Sequence, residues 1–317
     1  MSSILPSNYP NGFASGLVAR GVSIAQVHPN QAIWVDSNAG TNNNRGTWQR
    51  PVATLAQALT IATSNKGDII FLKPGHAESV TAAAGIAIAD AGVTIIGLGS
   101  GTSRPTFTFT TATTATITVT AANVTLQNII FANGIDALAT MLSISATDCR
   151  LVDCEIQDNN ASFACLDPIT TTAAAHRLQI YNHVHRAAGG KTGGSSAIKI
   201  VGGNDHIVNP YFIDGDFSNA AIYNPTTASS GTGIQVFGNA QVSSFIRNRN
   251  ASKVLLSLQT ASPGRVGPYL YGEVASSSAT GLSSSIWAAA GCVYYQPVVT
   301  SSTGFVGYNT TITAATS

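Results

Sequence analysis

The chain has 317 residues, which is enough for one long solenoid or for two ordinary domains. Only 9% of the residues are charged and the formal net charge is +1, which argues against nucleic acid as the main partner, since that partner selects a clustered basic surface. No run of about 18 apolar residues occurs, so we expect no membrane span, and the N-terminus lacks the basic start and apolar core of a secretory signal.

The low charge indicates that the protein assembles with copies of itself or with a larger structure. Ala, Thr, Ser and Gly dominate the sequence, and near-neutral exposed surfaces tend to self-associate. We therefore expect a homo-oligomer, because symmetric homo-oligomers are common. The alternative is a monomeric solenoid that simply carries small side chains.

Residues 1–30 have no sustained hydrophobic period. Apolar side chains are scattered among prolines and glycines, which predicts an extended arm that becomes ordered against a partner. An arm that wraps around its own solenoid is an equally good interpretation, since termini are also held in that way. The anchoring residues that we expect in the arm are Leu5, Tyr9, Phe13 and Leu17.

Residues 31–80 are predicted to form a strand, a capping helix and the first coil. The strand covers 32–35. Pro51 then opens the helix, where a missing N–H costs nothing, and Asn65-Lys66-Gly67 ends it. An amphipathic helix laid across the first coil would protect its hydrophobic cross-section from further strand addition. The predicted apolar stripe of the helix is Val52, Leu55, Ala56, Leu59 and Ala62.

A repeat of paired short strands dominates residues 81–261. In each copy two apolar residues, two places apart, are followed five places on by two more and then by a corner position. Strands of period two show alternate residues to one face, and neither strand could bury that face alone, so successive copies must stack as a solenoid. The copies are Ile86, Ile88, Val93, Ile95 and Gly97; Ile117, Val119, Val124, Leu126 and Asn128; Leu142, Ile144, Cys149, Leu151 and Asp153; Ile169, Thr171, His176, Leu178 and Ile180; and, more loosely, Ile198, Ile200, Ile207 and Asn209, then Ile234 and Val236.

The predicted fold is therefore all-β: a single-stranded, right-handed parallel β-helix with an N-terminal capping helix and an extended N-terminal arm. Equivalent strands of successive coils would pair in parallel, about 4.8 Å apart. The expected inward column is Val93, Val124, Cys149 and His176.

A ladder of corner residues is expected to turn the chain between strands. Asn and Asp suit a tight bend because they tolerate left-handed backbone and hydrogen-bond their own main chain, and stacked Asn side chains can bond from coil to coil. The predicted corner ladder is Gly97, Asn128, Asp153 and Asn209.

Three segments resemble the opening of pectin-lyase-like β-helix proteins carried by tailed bacteriophages. They are WVDSNAGTNNNRGTWQRPVATLAQAL, GDIIFLKPGHAESV and GVTIIGLGS, and they hold an Asp-Ser-Asn loop, a Gly-Thr-x-x-x-Pro-x-x-Thr-Leu helix start and an Asp-Ile-Ile strand that runs to Pro-Gly-His. The resemblance covers roughly residues 30–250 and implies the parallel β-helix fold. It implies little about chemistry, because the same fold carries lyases, hydrolases, tailspikes and inert virion proteins.

The remaining segments are predicted as loops and as a separate C-terminal element. Residues 131–141, 157–168 and 186–197 differ in length between coils and are expected to protrude as loops. Periodicity weakens after Gln259, and 262–317 are expected to cap the solenoid or to join chains in an oligomer. The sequence does not decide between these two roles.

The catalytic residues of the enzymes that share this fold are not matched. Resembling hydrolases would bring Asn-x-Asp, a pair of adjacent Asp, Gly-His-Gly and Arg-Ile-Lys, whereas this chain has only Gly75-His76 and Ile198-Lys199-Ile200. Resembling lyases would bring an acidic calcium cluster with a basic partner, and only Asp205, Asp214 and Asp216 come near that pattern. We therefore predict no catalytic residues and no cofactor.

The fallback interpretation is a carbohydrate site, because two carboxyl groups about 5–9 Å apart can catalyse glycoside hydrolysis. Asp214 with Asp216, or Asp153 with Glu155, alternate onto a common strand face. Tyr211 lies beside the first pair. The preferred interpretation is structural, since carboxylates on exposed loops are usually just solvated.

Histidines, arginines and cysteines give weaker signals. His183 and His185 share a strand face and could bind metal, but a third ligand is not visible, so no metal site is predicted. Arg247 and Arg249 also face together and could meet an acidic partner. Cys149 is expected to be a small buried hydrophobe, without disulfide formation.

The function expected from these features is that of a non-enzymatic bacteriophage virion protein. We expect a trimeric capsid decoration (cement) protein, assembled in the host cytoplasm and held on the capsid exterior by its arms, since three arms would gain by multivalency. The alternative is a tailspike-like receptor-binding protein that binds or cleaves host surface polysaccharide. The expected partners are thus further copies and phage capsid or tail proteins, with host polysaccharide in the alternative, and neither nucleic acid nor membrane.

Overall fold

The computed structural model describes residues 32–158, 160–188, 192–225, 233–250, 253–258 and 264–274, and the backbone of six short strands outside these ranges. Its strands run in parallel coils, so the fold is a nearly all-β parallel solenoid, which confirms the predicted fold class. The elements are β1 (Leu17–Ala19), β2 (Val22–Ile24), β3 (Ala32–Val35), α1 (Leu55–Ile61), β4 (Ile69–Leu72), β5 (Ala77–Val80), β6 (Ile86–Ile88), β7 (Thr94–Gly97), β8 (Thr106–Phe109), β9 (Ile117–Val119), β10 (Thr125–Gln127), β11 (Ile130–Asn133), β12 (Leu142–Ile144), β13 (Arg150–Val152), β14 (Glu155–Asp158), β15 (Ile169–Thr171), β16 (Gln179–Ala187), β17 (Ile198–Lys199), β18 (Ile207–Gly215), β19 (Ala220–Tyr223), β20 (Gln235–Val236), β21 (Ser244–Asn248), β22 (Val254–Leu258), β23 (Arg265–Val266), β24 (Leu270–Val274), β25 (Trp287–Ala289), β26 (Val293–Tyr294), β27 (Val299–Thr300) and β28 (Val306–Gly307).

The coils contribute three strands each, not the two that the repeat predicted. Sheet 1 stacks β6, β9, β12, β15, β17, β19, β22 and β25. Sheet 2 stacks β3, β4, β7, β10, β13, β16, β18, β20, β23 and β26, and sheet 3 stacks β5, β8, β11, β14, β16, β18, β21 and β24. The long strands β16 and β18 belong to both sheets. The sequence repeat does not reveal the third strand, because only a short corner separates it from the second strand of the coil.

Aliphatic and aromatic side chains fill the interior. Val93, Val124 and Cys149 are buried in one column, and the rings of Phe107 and Phe131 stack inside sheet 3 with centroids 6.2 Å apart. Burying one large apolar side chain contributes roughly 1.5–3 kcal/mol, and each coil supplies several. Because each coil buries its apolar side chains against the next, the coils stabilise one another.

The predicted place of His176 in this column is wrong. Arg150 pairs with Gln179, so Leu178 occupies the position next to Cys149. His176 is only half-buried, and its Nδ1 accepts a hydrogen bond from the Asn204 N–H at 3.1 Å. Two extra residues in the corner before Leu178 shift this copy relative to the earlier ones.

The helix α1 lies against β3 and β6 at the first coil, where a cap was expected. It is shorter than predicted. It begins at Leu55, because the hydroxyl of Thr54 accepts a hydrogen bond from the Gln57 N–H at 3.2 Å. Val52 precedes the helix and pairs with Val35 in a β-bridge, and Ala56 is exposed rather than buried. No described helix has both the length and the apolar character that a bilayer crossing requires.

Left-handed residues turn the chain from sheet 2 to sheet 3. Asn128 has φ 56° and Asp153 has φ 53°, and Asn182 takes the next such position with φ 52°. The amide of Asn182 donates to Asp153 Oδ1 at 3.1 Å, so these corners bond from coil to coil. Gly97 lies beside Asn128 at the end of β7, where an added Cβ would lie 2.2 Å from the Asn128 carbonyl oxygen, so only glycine fits.

Asn209 is not one of the left-handed corners. It lies inside β18, paired with Tyr181, and its amide donates to the Phe237 carbonyl at 2.9 Å. A register irregularity between β16 and β18 displaces the corner from its expected spacing.

Candidate functional site

The residues of the fallback carbohydrate site lie on and beside sheet 3, toward its C-terminal end. Asp214 is on β18, where Ile213 beside it is fully buried in the core, so Asp214 belongs to the outward-facing set. Parallel pairing places Arg186 on one side of Asp214 and Arg247 on the other. Asp214 therefore stands in a row of charged residues that follows the solenoid axis.

Two arginines hold the Asp214 carboxylate. Arg247 donates from Nε to Oδ1 at 2.8 Å and from Nη2 to Oδ2 at 2.6 Å. Arg249 donates from Nε to Oδ1 at 2.9 Å, and its two Nη atoms donate to the carbonyls of Ala187 and Ala188. Arg247 and Arg249 were expected to face together, and the acidic group that they meet belongs to the preceding coil of the same chain.

This contact fixes the charge of Asp214. Burial alone would raise the pKa of its carboxyl group, but the hydrogen bonds and positive charges of Arg247 and Arg249 outweigh burial, and the pKa lies below its ordinary value. A carboxyl group in this state stays ionised near neutral pH and cannot donate a proton to a leaving group.

The other two fallback residues are placed differently. Asp216 follows the end of β18 and is half-buried, at the start of the turn toward sheet 1. Tyr211 is 43% exposed and lies where the pairing of β16 with β18 is irregular. Asp214 is thus held between Arg247 and Arg249, an arrangement that we call the arginine clamp. Asp216 lies outside β18, the strand that carries Asp214.

The carboxylates of the second pair, Asp153 and Glu155, also bind other side chains of the same chain. Asp153 lies at a left-handed corner and accepts the amide of Asn182. Glu155 accepts from Arg104 Nη1 at 2.8 Å and lies 3.5 Å from Arg186 Nε. Three of the four predicted carboxylates, Asp153, Glu155 and Asp214, therefore serve contacts between coils.

Aromatic side chains next to Asp214 form a stack that the sequence did not reveal. Phe212 and Phe245 pair in register on β18 and β21, with ring centroids 5.9 Å apart and planes 21° apart. The guanidinium carbon of Arg186 lies 5.2 Å from the centroid of Phe212. Phe217, in contrast, points into the core against His185.

The two histidines of β16 face the interior. His183 and His185 are both buried, and burial lowers the pKa of His183 to about 4. Within the described part of the chain, no group of three or more His, Cys, Asp or Glu residues could hold a metal ion. Cys149 and Cys154 are buried free thiols, and burial raises the pKa of Cys154 to about 12, which makes that thiol unreactive.

Several contact residues of this surface were missed because they become neighbours only through the coil register. Arg104 precedes Glu155 by 51 residues, and Arg249 follows Ala188 by 61. The usable signal was the alternation of Arg186, Asp214 and Arg247 on successive coils, which appears once the strands are aligned correctly.

The predicted arm lies outside the residues whose side chains are described, so Leu5, Tyr9, Phe13 and Leu17 have no assigned contacts. The described surface offers paired charges, exposed tyrosines and uncharged hydroxyl side chains. The chain matches no protein-family model, no curated protein and no solved structure.

Proposed function

We propose that this chain is a non-enzymatic structural protein of a bacteriophage particle, a trimer that decorates the capsid exterior and is attached by its N-terminal arm. The observation that carries the non-enzymatic part is the clamp on Asp214. The carboxylate best placed for sugar chemistry is 8% exposed and is held by Arg247 and Arg249.

Glycoside hydrolysis needs one carboxyl group that holds a proton and a second group that can reach the sugar or a water molecule. Asp214 has a lowered pKa, which suits neither proton donation nor a switch between acid and base. Glu155, in the other pair, is enclosed by Arg104 and Arg186. The arginines would have to release these carboxylates before either could act.

The outer surface supports the assembly part of the proposal. The outward column of sheet 1 carries small uncharged side chains over four coils, and several charges elsewhere are paired within the chain. Surfaces of this kind give little charge repulsion between copies. The column consists of Ala87, Thr118, Ser143 and Thr170.

The phage part of the proposal rests on the resemblance of residues 30–250 to phage-borne β-helix proteins. Attachment by residues 1–30 rests on their composition, which is apolar but without a period that would bury them in a core. Three weak arm contacts from one trimer would bind far more tightly than one, because the second and third contacts become intramolecular.

The test is to locate the protein on the particle. Imaging of labelled protein on purified virions should place hundreds of copies on the capsid, and a chain that lacks residues 1–30 should fold but fail to attach. Attachment without the arm would remove the role assigned to it. Copies confined to the tail would favour the receptor-binding alternative.

That alternative has one observation in its favour: Tyr211, on the same strand as Asp214, is 43% exposed, and Tyr271, two coils further on, is 42% exposed. Incubation of the purified protein with host surface polysaccharide distinguishes the two. Release of reducing or unsaturated sugars would overturn the non-enzymatic proposal, whereas binding without cleavage would favour a receptor-binding protein.

A further inference from the structure

The end of β11 holds an Asn-Gly pair, the dipeptide in which an asparagine loses its side-chain amide most readily. The glycine nitrogen gives up its proton and attacks Cγ of the asparagine, a five-membered succinimide ring forms, and the side-chain nitrogen leaves with that proton as ammonia. Water then opens the ring and leaves aspartate or isoaspartate. Glycine favours the attack because no Cβ crowds its nitrogen. Asn133 and Gly134 therefore form a candidate site of covalent modification.

Packing explains why a glycine follows Asn133. A Cβ added at Gly134 would lie 2.8 Å from the Phe109 carbonyl oxygen and 2.8 Å from Cγ2 of Thr110, both in the preceding coil. Close-packed coils leave no room for that atom. Gly134 therefore cannot be replaced without displacing the preceding coil, and protection from the reaction has to come from the contacts of the two residues.

The neighbouring coils hold the two reacting groups toward opposite sides. The Gly134 N–H donates to the Phe109 carbonyl of the preceding coil at 2.9 Å. The side-chain amide of Asn133 donates to Asp158 Oδ1 of the following coil at 2.8 Å, and its oxygen accepts from the Ile135 N–H at 3.3 Å. The attack requires that the nitrogen loses its proton and that the side chain turns toward it, so these bonds must break first.

Burial strengthens this restraint. Asn133 is 9% exposed and Asp158 is 3% exposed, and each is the last residue of its strand, β11 or β14, on the inward side. A hydrogen bond that water reaches poorly is stronger than the same bond in water. Water is also a reactant, since it opens the ring. The reaction therefore requires a local opening of the contact between β11 and β14.

We propose that Asn133 is a deamidation site which the hydrogen bond to Asp158 protects, so that the modification occurs when the contact between β11 and β14 opens. Deamidation replaces the donor amide by a carboxyl group that faces Asp158. The hydrogen-bond donor is lost, and two acidic groups meet where water reaches little, which destabilises the contact. The modification thus loosens these two coils irreversibly. The inference goes beyond the proposed function and does not depend on it.

The experiment compares deamidation rates in the folded full-length protein and in the same chain unfolded by guanidinium chloride. Both samples are incubated in one mildly alkaline buffer, and mass spectrometry of proteolytic peptides gives the deamidated fraction at Asn133. The folded rate should be at least about tenfold below the unfolded rate. Asn11-Gly12, the other Asn-Gly of the chain, gives the rate of a second such pair in the unfolded sample. Equal folded and unfolded rates at Asn133 would overturn the proposal.

Variants of Asp158 test the source of the protection. Asp158→Ala removes the acceptor of the Asn133 amide and should raise the folded rate about tenfold. Asp158→Asn keeps an acceptor oxygen and should stay close to the wild-type rate. The matched control is Asp136→Asn, which alters a carboxyl group that binds the Ala164 N–H instead, and it should not change the rate. A folded Asp158→Ala variant with the wild-type rate would contradict the role of Asp158.

The effect of the product is tested by exchanging the two side chains. Asn133→Asp places a carboxyl group against Asp158 and should lower the melting temperature by a few degrees. Asn133→Asp/Asp158→Asn exchanges the amide and the carboxyl group, restores the hydrogen bond and should recover the wild-type melting temperature. A double variant no more stable than Asn133→Asp would sink the proposed consequence. Circular dichroism shows whether each variant folds, and if Asp158→Ala does not, the folded and unfolded rates of wild type and Asp158→Asn still decide.

Discussion

The early and late coils of this solenoid have the same strand arrangement, but different kinds of side chains fill their interiors. Between residues 86 and 153 the interior is almost wholly apolar, with Phe107, Phe109 and Phe131 filling sheet 3. From β16 onward the interior takes in polar groups, and the outer face gains paired charges and exposed aromatic residues. The polar residues buried in these later coils are His183, His185, Ser196, His206, Asn209, Asp214, Asn224, Ser244 and Asn248.

The difference shows how a solenoid tolerates polar groups. A buried polar group costs little only where it finds a partner, and neighbouring coils supply partners at fixed spacing. Asn248 shows this, since its side-chain oxygen accepts from the Phe217 N–H and its amide donates to the Phe217 and Val254 carbonyls. The early coils are held by apolar packing, whereas the late coils depend more on hydrogen bonds and ion pairs.

Deleting a ring from the early interior should have the largest effect. Phe107 is fully buried and stacks against Phe131, so we expect Phe107→Ala to cost about 3–5 kcal/mol. Phe212→Ala, on the outer face of the late coils, should cost about 1 kcal/mol, because little new cavity forms. Urea unfolding followed by circular dichroism measures both, and equal costs would contradict the distinction between interior and surface aromatic residues.

Acid should weaken the late coils before the early ones. Burial lowers the pKa of His183 to about 4 and lowers that of His206, so the unfolded chain binds more protons than the folded chain below pH 6.5. Stability is therefore lost as the pH falls from about 6.5 toward 4, by up to about 3 kcal/mol for His183. Urea midpoints measured across this range should decline less in His183→Leu, and parallel declines in the two proteins would refute the role of His183.

Opening the arginine clamp should have a smaller effect. Asp214→Ala leaves Arg247 and Arg249 without their carboxylate, and we expect a loss of about 2 kcal/mol, less than for a fully buried pair because the Arg247 side chain is 36% exposed. Asp148→Asn is the control, because it removes the charge of an equally short pair with Arg177 at an exposed corner and keeps a residue type that tolerates the left-handed backbone there (φ 59°). The control should leave the urea midpoint unchanged, and similar losses in both variants would show that burial does not set the strength of the clamp.

The same contrast explains which parts of the fold could be predicted from the sequence. Where the offsets between apolar positions stay constant, as from Ile86 to Asp153, the inward residues follow directly from the period. Two extra residues before Leu178 lengthen the spacing between the first and second strands of that coil, so the constant offset wrongly predicted His176 in the core. Three strands per coil could not be counted, because the corner at Asn128 is too short to interrupt an apolar pattern.

The candidate surface was predictable only in part, because its contacts depend on coil register. Local sequence placed Arg247 and Arg249 on one face, but it could not show that Asp214, more than thirty residues earlier, lies between them. Tyr271 falls in a segment where the period had faded, so its alignment with Phe245 required the strands themselves. Charge and aromatic ladders of this type appear only after the coils are aligned.

A corner substitution should give the smallest effect and sharpens the comparison most finely. Asn128 has φ 56° and its amide donates to the carbonyls of Gly97 and Gly99, so Asn128→Ala should cost about 1–2 kcal/mol through left-handed strain and lost bonds. Ser243, at a late corner with φ 57°, has the same backbone strain, and Ser243→Gly should raise the melting temperature slightly. The melting temperatures of Asn128→Gly and Asn128→Ala separate the two causes, because glycine removes the side-chain hydrogen bonds without adding backbone strain. Equal losses of stability in the two variants would mean that the hydrogen bonds between coils outweigh backbone strain. The early corners would then depend on hydrogen bonds as much as the late coils do.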